Sequence, residues 1–175
     1  MRVVITGGPG TGKTSIIEYL NKMNFNVFNE SSREVTKKFK NIDSEQYFLS
    51  NPIEFSNILI NKRKMQFEKG SKSKNEYFYY DRGMPDVLAY LKFKKIDYQS
   101  SMISDILKFN YDAIFLAEPW KAIYKNDSER YETYDELLEI DIQIKKIYKQ
   151  LGYNIIILPK KSVKDRVNFI LETLH

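Results

Sequence analysis

One stretch of this chain has the residue types and spacing needed to hold phosphate. Residues Gly7-Gly8-Pro9-Gly10-Thr11-Gly12-Lys13-Thr14 satisfy the pattern G-x-x-x-x-G-K-[ST] in full. Glycines let the backbone take dihedrals closed to other residues, so successive N–H groups can turn inward on phosphate oxygens. A helix opening at this loop adds the positive end of its dipole. Lys13 is placed to reach the β- and γ-phosphates, and the Thr14 hydroxyl is the expected Mg²⁺ ligand. The cradle itself is expected from Gly8, Pro9, Gly10, Thr11, Gly12, Lys13, Thr14 and Ser15.

Two carboxylates follow apolar runs. Tyr77-Phe78-Tyr79-Tyr80 ends in Asp81-Arg82-Gly83. An acid there either holds Mg²⁺ through water or accepts a proton from the attacking group. Arg82 either binds phosphate or braces the site. Glu30 closes an earlier apolar run, where it would orient a substrate hydroxyl, act as base, or stand as a solvated loop acid. Arg33, one helical turn on, would bind an acceptor phosphate or pair with Glu30. A third segment, EPWKAIYKNDSERYETY over 118–134, is long for a connection in a compact domain. Trp120, Tyr124 and Tyr131 argue against plain disorder, and the segment reads as a lid. A closing lid brings positive charge to a migrating phosphoryl group and excludes water. Arg130 is the first candidate for that charge, ahead of Lys121 and Lys125, because a fork of donors suits phosphate better than a point charge.

Short apolar runs alternate with longer segments of helical period, the pattern of a parallel α/β sheet. Strands are expected at Arg2–Thr6, Phe25–Asn29, Tyr77–Tyr80, Ala113–Ala117 and Asn154–Leu158. They are dense in Val, Ile, Phe and Tyr and mostly lack alternation, as suits strands covered on both faces. Their carboxyl ends collect the phosphate loop, Glu30, Asp81 and Glu118 on one edge, where open α/β sheets bind ligands. Ser31 with Glu34, Thr133 with Glu136 and Ser162 with Asp165 have capping-box spacing. Apolar stripes mark three helices: Phe55, Ile58, Leu59 and Met65; Ile140, Ile144, Ile147, Tyr148 and Leu151, stopped by Gly152; and Val163, Val167, Ile170, Leu171 and Leu174.

The 175 residues fit one domain, 1–175. With 42% hydrophobic and 29% charged residues, the chain has ordinary globular composition. No apolar run approaches the roughly 18 residues of a membrane-spanning helix, and no signal peptide precedes the first strand, so a cytoplasmic protein is expected. Cysteine is absent and the single histidine is His175, which excludes thiol chemistry, a histidine triad and a multi-histidine metal site. The net charge of +5 invites a nucleic-acid reading. No recognition motif supports it, and nucleic acid is not the expected partner. The basic excess lies in residues 1–75, where it would face an anionic ligand, a membrane surface or water.

The stretches GGPGTGKTS, NESSREV, YYDRGMPDVLAY, AEPWKAIYKNDSERYETYDE and LGYNIIILPKKSVKDRVNFIL together resemble the NadR-like P-loop ATPase/kinase family. Its members are often labelled AAA-type ATPases and include the kinase domain of nicotinamide-riboside kinases. The resemblance covers residues 1–174. It implies a P-loop NTPase fold, three-layer α/β/α, with a five-stranded parallel sheet of order 2-3-1-4-5, like that of nucleoside and nucleotide kinases. It implies ATP or GTP with Mg²⁺, phosphate and metal on Lys13 and Thr14, Asp81 at the metal, and Arg130 in the lid. A hexameric AAA+ motor is not expected, because there is no room for the small helical domain such motors carry.

Two functions compete. The leading one is a small-molecule kinase moving the γ-phosphoryl group to an acceptor held between Glu30, Arg33 and Asp81, with Lys13, Asp81 and Arg130 as its catalytic groups. The long insert after the second strand and the lid favour it. The alternative is an ATP- or GTP-hydrolysing switch that answers to a protein or anionic lipid partner. No N-K-x-D base-reading motif is present to select guanine.

Overall fold

The computed structural model describes residues 1–30, 32, 35, 48–70, 76–124 and 132–174. Arg33, Lys125, Arg130, Tyr131 and the Ser31/Glu34 capping pair lie outside them. Five strands form one sheet: β1 (Arg2–Thr6), β2 (Asn26–Phe28), β3 (Phe78–Asp81), β4 (Ala113–Leu116) and β5 (Ile155–Ile157). All neighbours are parallel, in the order β2-β3-β1-β4-β5. This is the order the family resemblance implied. β1 has the expected bounds, β2, β4 and β5 each end one residue before the expected run does, and β3 runs one residue further, to Asp81.

Both sheet faces are covered, which explains the unalternating strands. On one face Val4, Tyr80, Ile114 and Leu116 pack against α2 (Pro52–Lys69), α3 (Pro85–Phe93), α4 (Ser100–Ile106) and α5 (Tyr134–Gln150), through residues such as Leu59, Leu88, Ile106 and Ile144. On the other, Val3, Ile5, Tyr79 and Phe115 meet α1 (Lys13–Lys22) and α6 (Val163–Leu174) through Ile16, Leu20, Val167 and Ile170. The result is three layers, α/β/α. Among the described residues no helix is long and apolar enough to cross a membrane.

One stripe needs correction. Met65 does not face the core; it is 60% exposed. The buried face of α2 is Phe55, Ser56, Leu59, Ile60, Arg63 and Phe67. Steps of three and four residues from Leu59 and Ile60 lead to Arg63 and then Phe67, so the polar Arg63 holds the place an apolar count gives to Met65.

The capping reading of α5 is realised in both directions. Thr133 N–H donates to Glu136 Oε2 at 2.8 Å, and Glu136 N–H donates to Thr133 Oγ1 at 3.2 Å. Replacing Thr133 by alanine should destabilise the protein by about 1 kcal/mol in urea denaturation, the usual worth of such a cap. A loss below a few tenths would show that packing alone fixes the start of α5.

Candidate active site

The phosphate loop joins β1 to α1. Gly12, at φ +85°, stands where α1 begins. No side chain caps that helix, so its first N–H groups remain for a ligand. Gly7 is needed for a close approach, since a Cβ there would collide with the Ala117 carbonyl. Lys13 is buried in the loop, and its Nζ donates to the Gly8 carbonyl at 2.6 Å. Thr11 Oγ1 donates to the same carbonyl at 3.0 Å. Thr14 and Ser15 are exposed at the start of α1.

Asp81 is the last residue of β3, beside Ile5 of β1. The chain then turns through Arg82 at φ +70°, a conformation unusual for a side-chain-bearing residue. Four groups hold the Arg82 guanidinium there. Nε donates to Glu30 Oε1 at 2.8 Å, and Nη1 to the Gly7 carbonyl at 2.8 Å. Nη1 also reaches Asp86 Oδ1 at 3.3 Å, and Nη2 the Tyr90 hydroxyl at 3.4 Å. Asp86 is itself a junction. It accepts from Thr6 Oγ1 at 2.5 Å, Gly83 N–H at 2.9 Å and the Tyr148 hydroxyl at 2.6 Å. Strand β1, the turn after β3, α3 and α5 thus converge on one buried carboxylate.

The electrostatics follow from burial and these neighbours. Burial and the nearby Arg82 pull Lys13 down to about 8, against the raising effect of Asp81, Glu30 and Asp86. Burial pushes Asp81 up to about 6, helped by Glu30 and opposed by Lys13 and Arg82. Burial also works to raise Glu30, but Arg82, Lys13 and Arg63 outweigh it and hold that carboxyl at about 2. Two acids that both act on Lys13 therefore sit on opposite sides of the usual range. The Lys13 value gives a test. Phosphate against the amine favours its charged form, so nucleotide binding must take up protons once pH exceeds 8. Calorimetry of ATP without metal at pH 8.5, in buffers of different ionisation enthalpy, should show uptake of roughly three quarters of a proton. Lys13→Arg should show none. Absence of uptake in the wild type would mean that the lysine does not meet the phosphates.

A cavity of about 270 Å³ runs from the loop into the body of the protein. One part is lined by Pro9, Gly10, Gly12, Lys13 and Thr14. The rest is lined by Phe55, Ser56, Leu59 and Arg63 of α2, by Asp86, Val87 and Tyr90 of α3, and by Phe48, Glu30, Arg82 and Glu132. Two polar atoms in these walls, Ser56 Oγ and Arg63 Nε, are buried without a hydrogen-bond partner. Arg63 is oriented by its Nη1, which donates to the Gly83 carbonyl at 2.7 Å.

A family described as "AAA domain" matches residues 2–166. The chain belongs to that family. No curated protein sequence matches the chain. Solved structures are similar to this AAA-domain chain over its whole length. Deoxyadenosine kinase from M. mycoides with bound dATP is 17% identical, with a TM-score of 0.72 and coverage of 99% of each chain. Thymidylate kinase from Ehrlichia chaffeensis is 17% identical, with a TM-score of 0.64, covering 100% of this chain and 98% of its own. The NadR protein in complex with NR is 18% identical, with a TM-score of 0.73; 99% of this chain covers 50% of that one. At these identities the likeness is one of fold, and the fold is that of nucleoside-kinase-type P-loop proteins.

Within this AAA-domain chain the structure brings together the phosphate loop, Glu30, Asp81 and Arg82. Arg33 and Arg130 lie outside the described residues. The described ends of the lid segment are tied down. Glu118 Oε1 accepts from Lys145 Nζ at 2.5 Å, and the Tyr124 hydroxyl donates to the Glu132 carbonyl at 2.7 Å. Lys121 is exposed. Several groups at the site had escaped the sequence reading. Arg63 carried a usable signal, an arginine inside an apolar helical stripe. Asp86 carried another, an acid one helical turn after Arg82. Ser56, Tyr90 and Tyr148 carried none, since only the topology brings them to the site.

Proposed function

We propose that this protein is a small-molecule kinase of the nucleoside or nucleotide type. It would take the γ-phosphoryl group of ATP or GTP, with Mg²⁺, to a small acceptor. The observation that carries this reading is the continuity of one cavity from the phosphate loop to a chamber between α2 and α3 with apolar and charged walls. A hydrolytic switch needs the loop but has no use for a second chamber beside it. The similar folds support it: a deoxyadenosine kinase with bound dATP and the NadR protein in complex with NR. Phosphoryl transfer asks the protein chiefly for positioning and charge. The loop and Lys13 supply these to the nucleotide. The chamber offers an acceptor the apolar side chains of Phe55, Leu59 and Val87 and two unspent polar groups, Ser56 Oγ and Arg63 Nε. Glu30, ionised and pinned by Arg82, stands where it can orient an acceptor hydroxyl. Arg130 belongs to the same proposal as the lid cation.

The residues suit Mg²⁺. Asp81 Oδ1 is buried without a hydrogen-bond partner, and hard cations take carboxylate and hydroxyl oxygens. Asp81 and Thr14 would hold the ion. When bound, it neutralises charge that builds on the phosphate oxygens. Among the described residues there is no cluster of three or more His, Cys, Asp or Glu side chains that could hold a metal by themselves.

The test is turnover of γ-labelled ATP or GTP with a panel of nucleosides, nucleotides and nicotinamide riboside. Label on one acceptor, with little free phosphate, supports the kinase and names the substrate. Slow phosphate release that no acceptor changes favours the switch.

A further inference from the structure

A buried cation with no counter-charge among the described residues sits against the phosphate loop. Arg166 lies in the first turn of α6 and is 4% exposed. Its Nη1 donates to the Thr11 carbonyl at 3.1 Å, while its Nε is buried without a partner. Three costs attach to that placement. A cation in the first turn opposes the helix dipole. Burial disfavours its charge and lowers its pKa. No carboxylate pairs with it among the described residues, whereas Arg82, equally buried, has both Glu30 and Asp86. Buried charges persist where they meet an opposite charge, and the anion this loop is shaped to receive is a polyphosphate.

The geometry says how the arginine acts. A trans peptide points its carbonyl and its N–H in opposite directions. With the Thr11 carbonyl drawn to Arg166, the Gly12 N–H is aimed away from it. Gly12 packs directly on the guanidinium, for a Cβ on Gly12 would press on Arg166 Nη1 and on Ile123. The acceptor chamber lies on the other side, over α2 and α3, so Arg166 belongs to the nucleotide half of the site.

We propose that Arg166 is a positioning residue for the phosphates of the nucleotide. It locks the Thr11–Gly12 peptide with its N–H toward them and fixes a positive charge behind the loop. This rests on the reading that a nucleotide occupies the loop. It lies outside the motif, since Arg166 follows Thr11 by 155 residues.

Binding of ATP and of inorganic tripolyphosphate to the full chain, by calorimetry at several salt concentrations, tests the inference. Thermal melting of each variant controls for folding. Arg166→Met should weaken both ligands by a similar factor, about tenfold or more, and flatten the salt dependence. Arg166→Lys, which keeps charge but loses the fork, should weaken both less and keep the salt slope. A folded Met variant that binds both ligands as the wild type does overturns the inference. So does a loss confined to ATP, which would place the arginine on the base or ribose. If the Met variant does not fold, an Arg166→Lys protein with wild-type affinity and slope for both ligands overturns it equally. A wild type that binds neither ligand would defeat the nucleotide reading itself, a result distinct from these.

Discussion

Replacing Lys13 by alanine should abolish phosphoryl transfer and leave the protein folded. The two halves of that expectation have different physical sources. Loss of one preorganised donor aimed at developing charge costs about 10²–10³ in kcat. Lys13 is more than one such donor. Its Nζ rests on the loop itself, at the Gly8 carbonyl, and it lines the cavity that joins the loop to the chamber between α2 and α3. A loss of at least that size is expected in labelled-phosphate transfer, with nucleotide binding weakened in parallel. The fold should survive because the lysine is a burden on it. Burial and Arg82 hold its pKa at about 8, below the ordinary lysine value. A lysine whose folded pKa is depressed makes the folded state less stable while the unfolded chain keeps it fully charged. Removing it therefore relieves the folded state, and the melting temperature should not fall. A variant with transfer within tenfold of wild type would sink the assignment of the loop as the phosphoryl site. A variant that unfolds would show that Lys13 organises the loop and does not merely occupy it.

The legibility of this site in the sequence divides along a physical line. Local chemistry was readable. The phosphate loop, the strand ending in Asp81 and the Thr133 cap are each contained in a few consecutive residues, and each took its expected place. The sheet was readable as parallel because strands covered on both faces lose their alternation, as Val3, Val4 and Ile5 do. Long-range convergence was not readable. Asp86 draws donors from Thr6, Gly83 and Tyr148, and no spacing announces that α5 will deliver a hydroxyl to the turn after β3. The misplaced Met65 shows the same limit in one helix. Counting apolar residues assigned it to the core, whereas the face of α2 is set by what α2 meets, which includes the polar cavity at Arg63. Residues at functional sites break the binary pattern because they serve a ligand as well as the core. The breaks themselves, an arginine in an apolar stripe or a cation in the first turn of a helix, are the signals to follow.

Arg82 gives the second large effect, and it separates two roles the sequence left open. Its guanidinium spends its donors on Glu30, the Gly7 carbonyl, Asp86 and Tyr90. A group so engaged braces the site. Replacing it by alanine strands Glu30 and weakens the hold on Asp86, and breaking a buried ion pair by removing one partner costs about 3–5 kcal/mol. Arg82→Lys should recover little of this, since one ammonium cannot satisfy acceptors arrayed around a planar fork. The loss has a signature in acid. Glu30 is held near 2 in the folded protein against an ordinary value of 4.5. Its pair with Arg82 therefore stabilises the wild type above pH 4.5, and that contribution disappears as pH falls toward 2. In the alanine variant the largest of the cations that lower Glu30 is gone, so denaturation curves between pH 2 and 6 should lose most of this acid-sensitive component. Transfer should fall as well, because Gly7 and Glu30 lose their shared anchor. A variant that keeps wild-type stability and acid response yet loses transfer would reverse the conclusion, placing the guanidinium on the phosphate. A variant that loses both, with its acid response flattened, fixes Arg82 as the strut between the phosphate loop and the acceptor chamber.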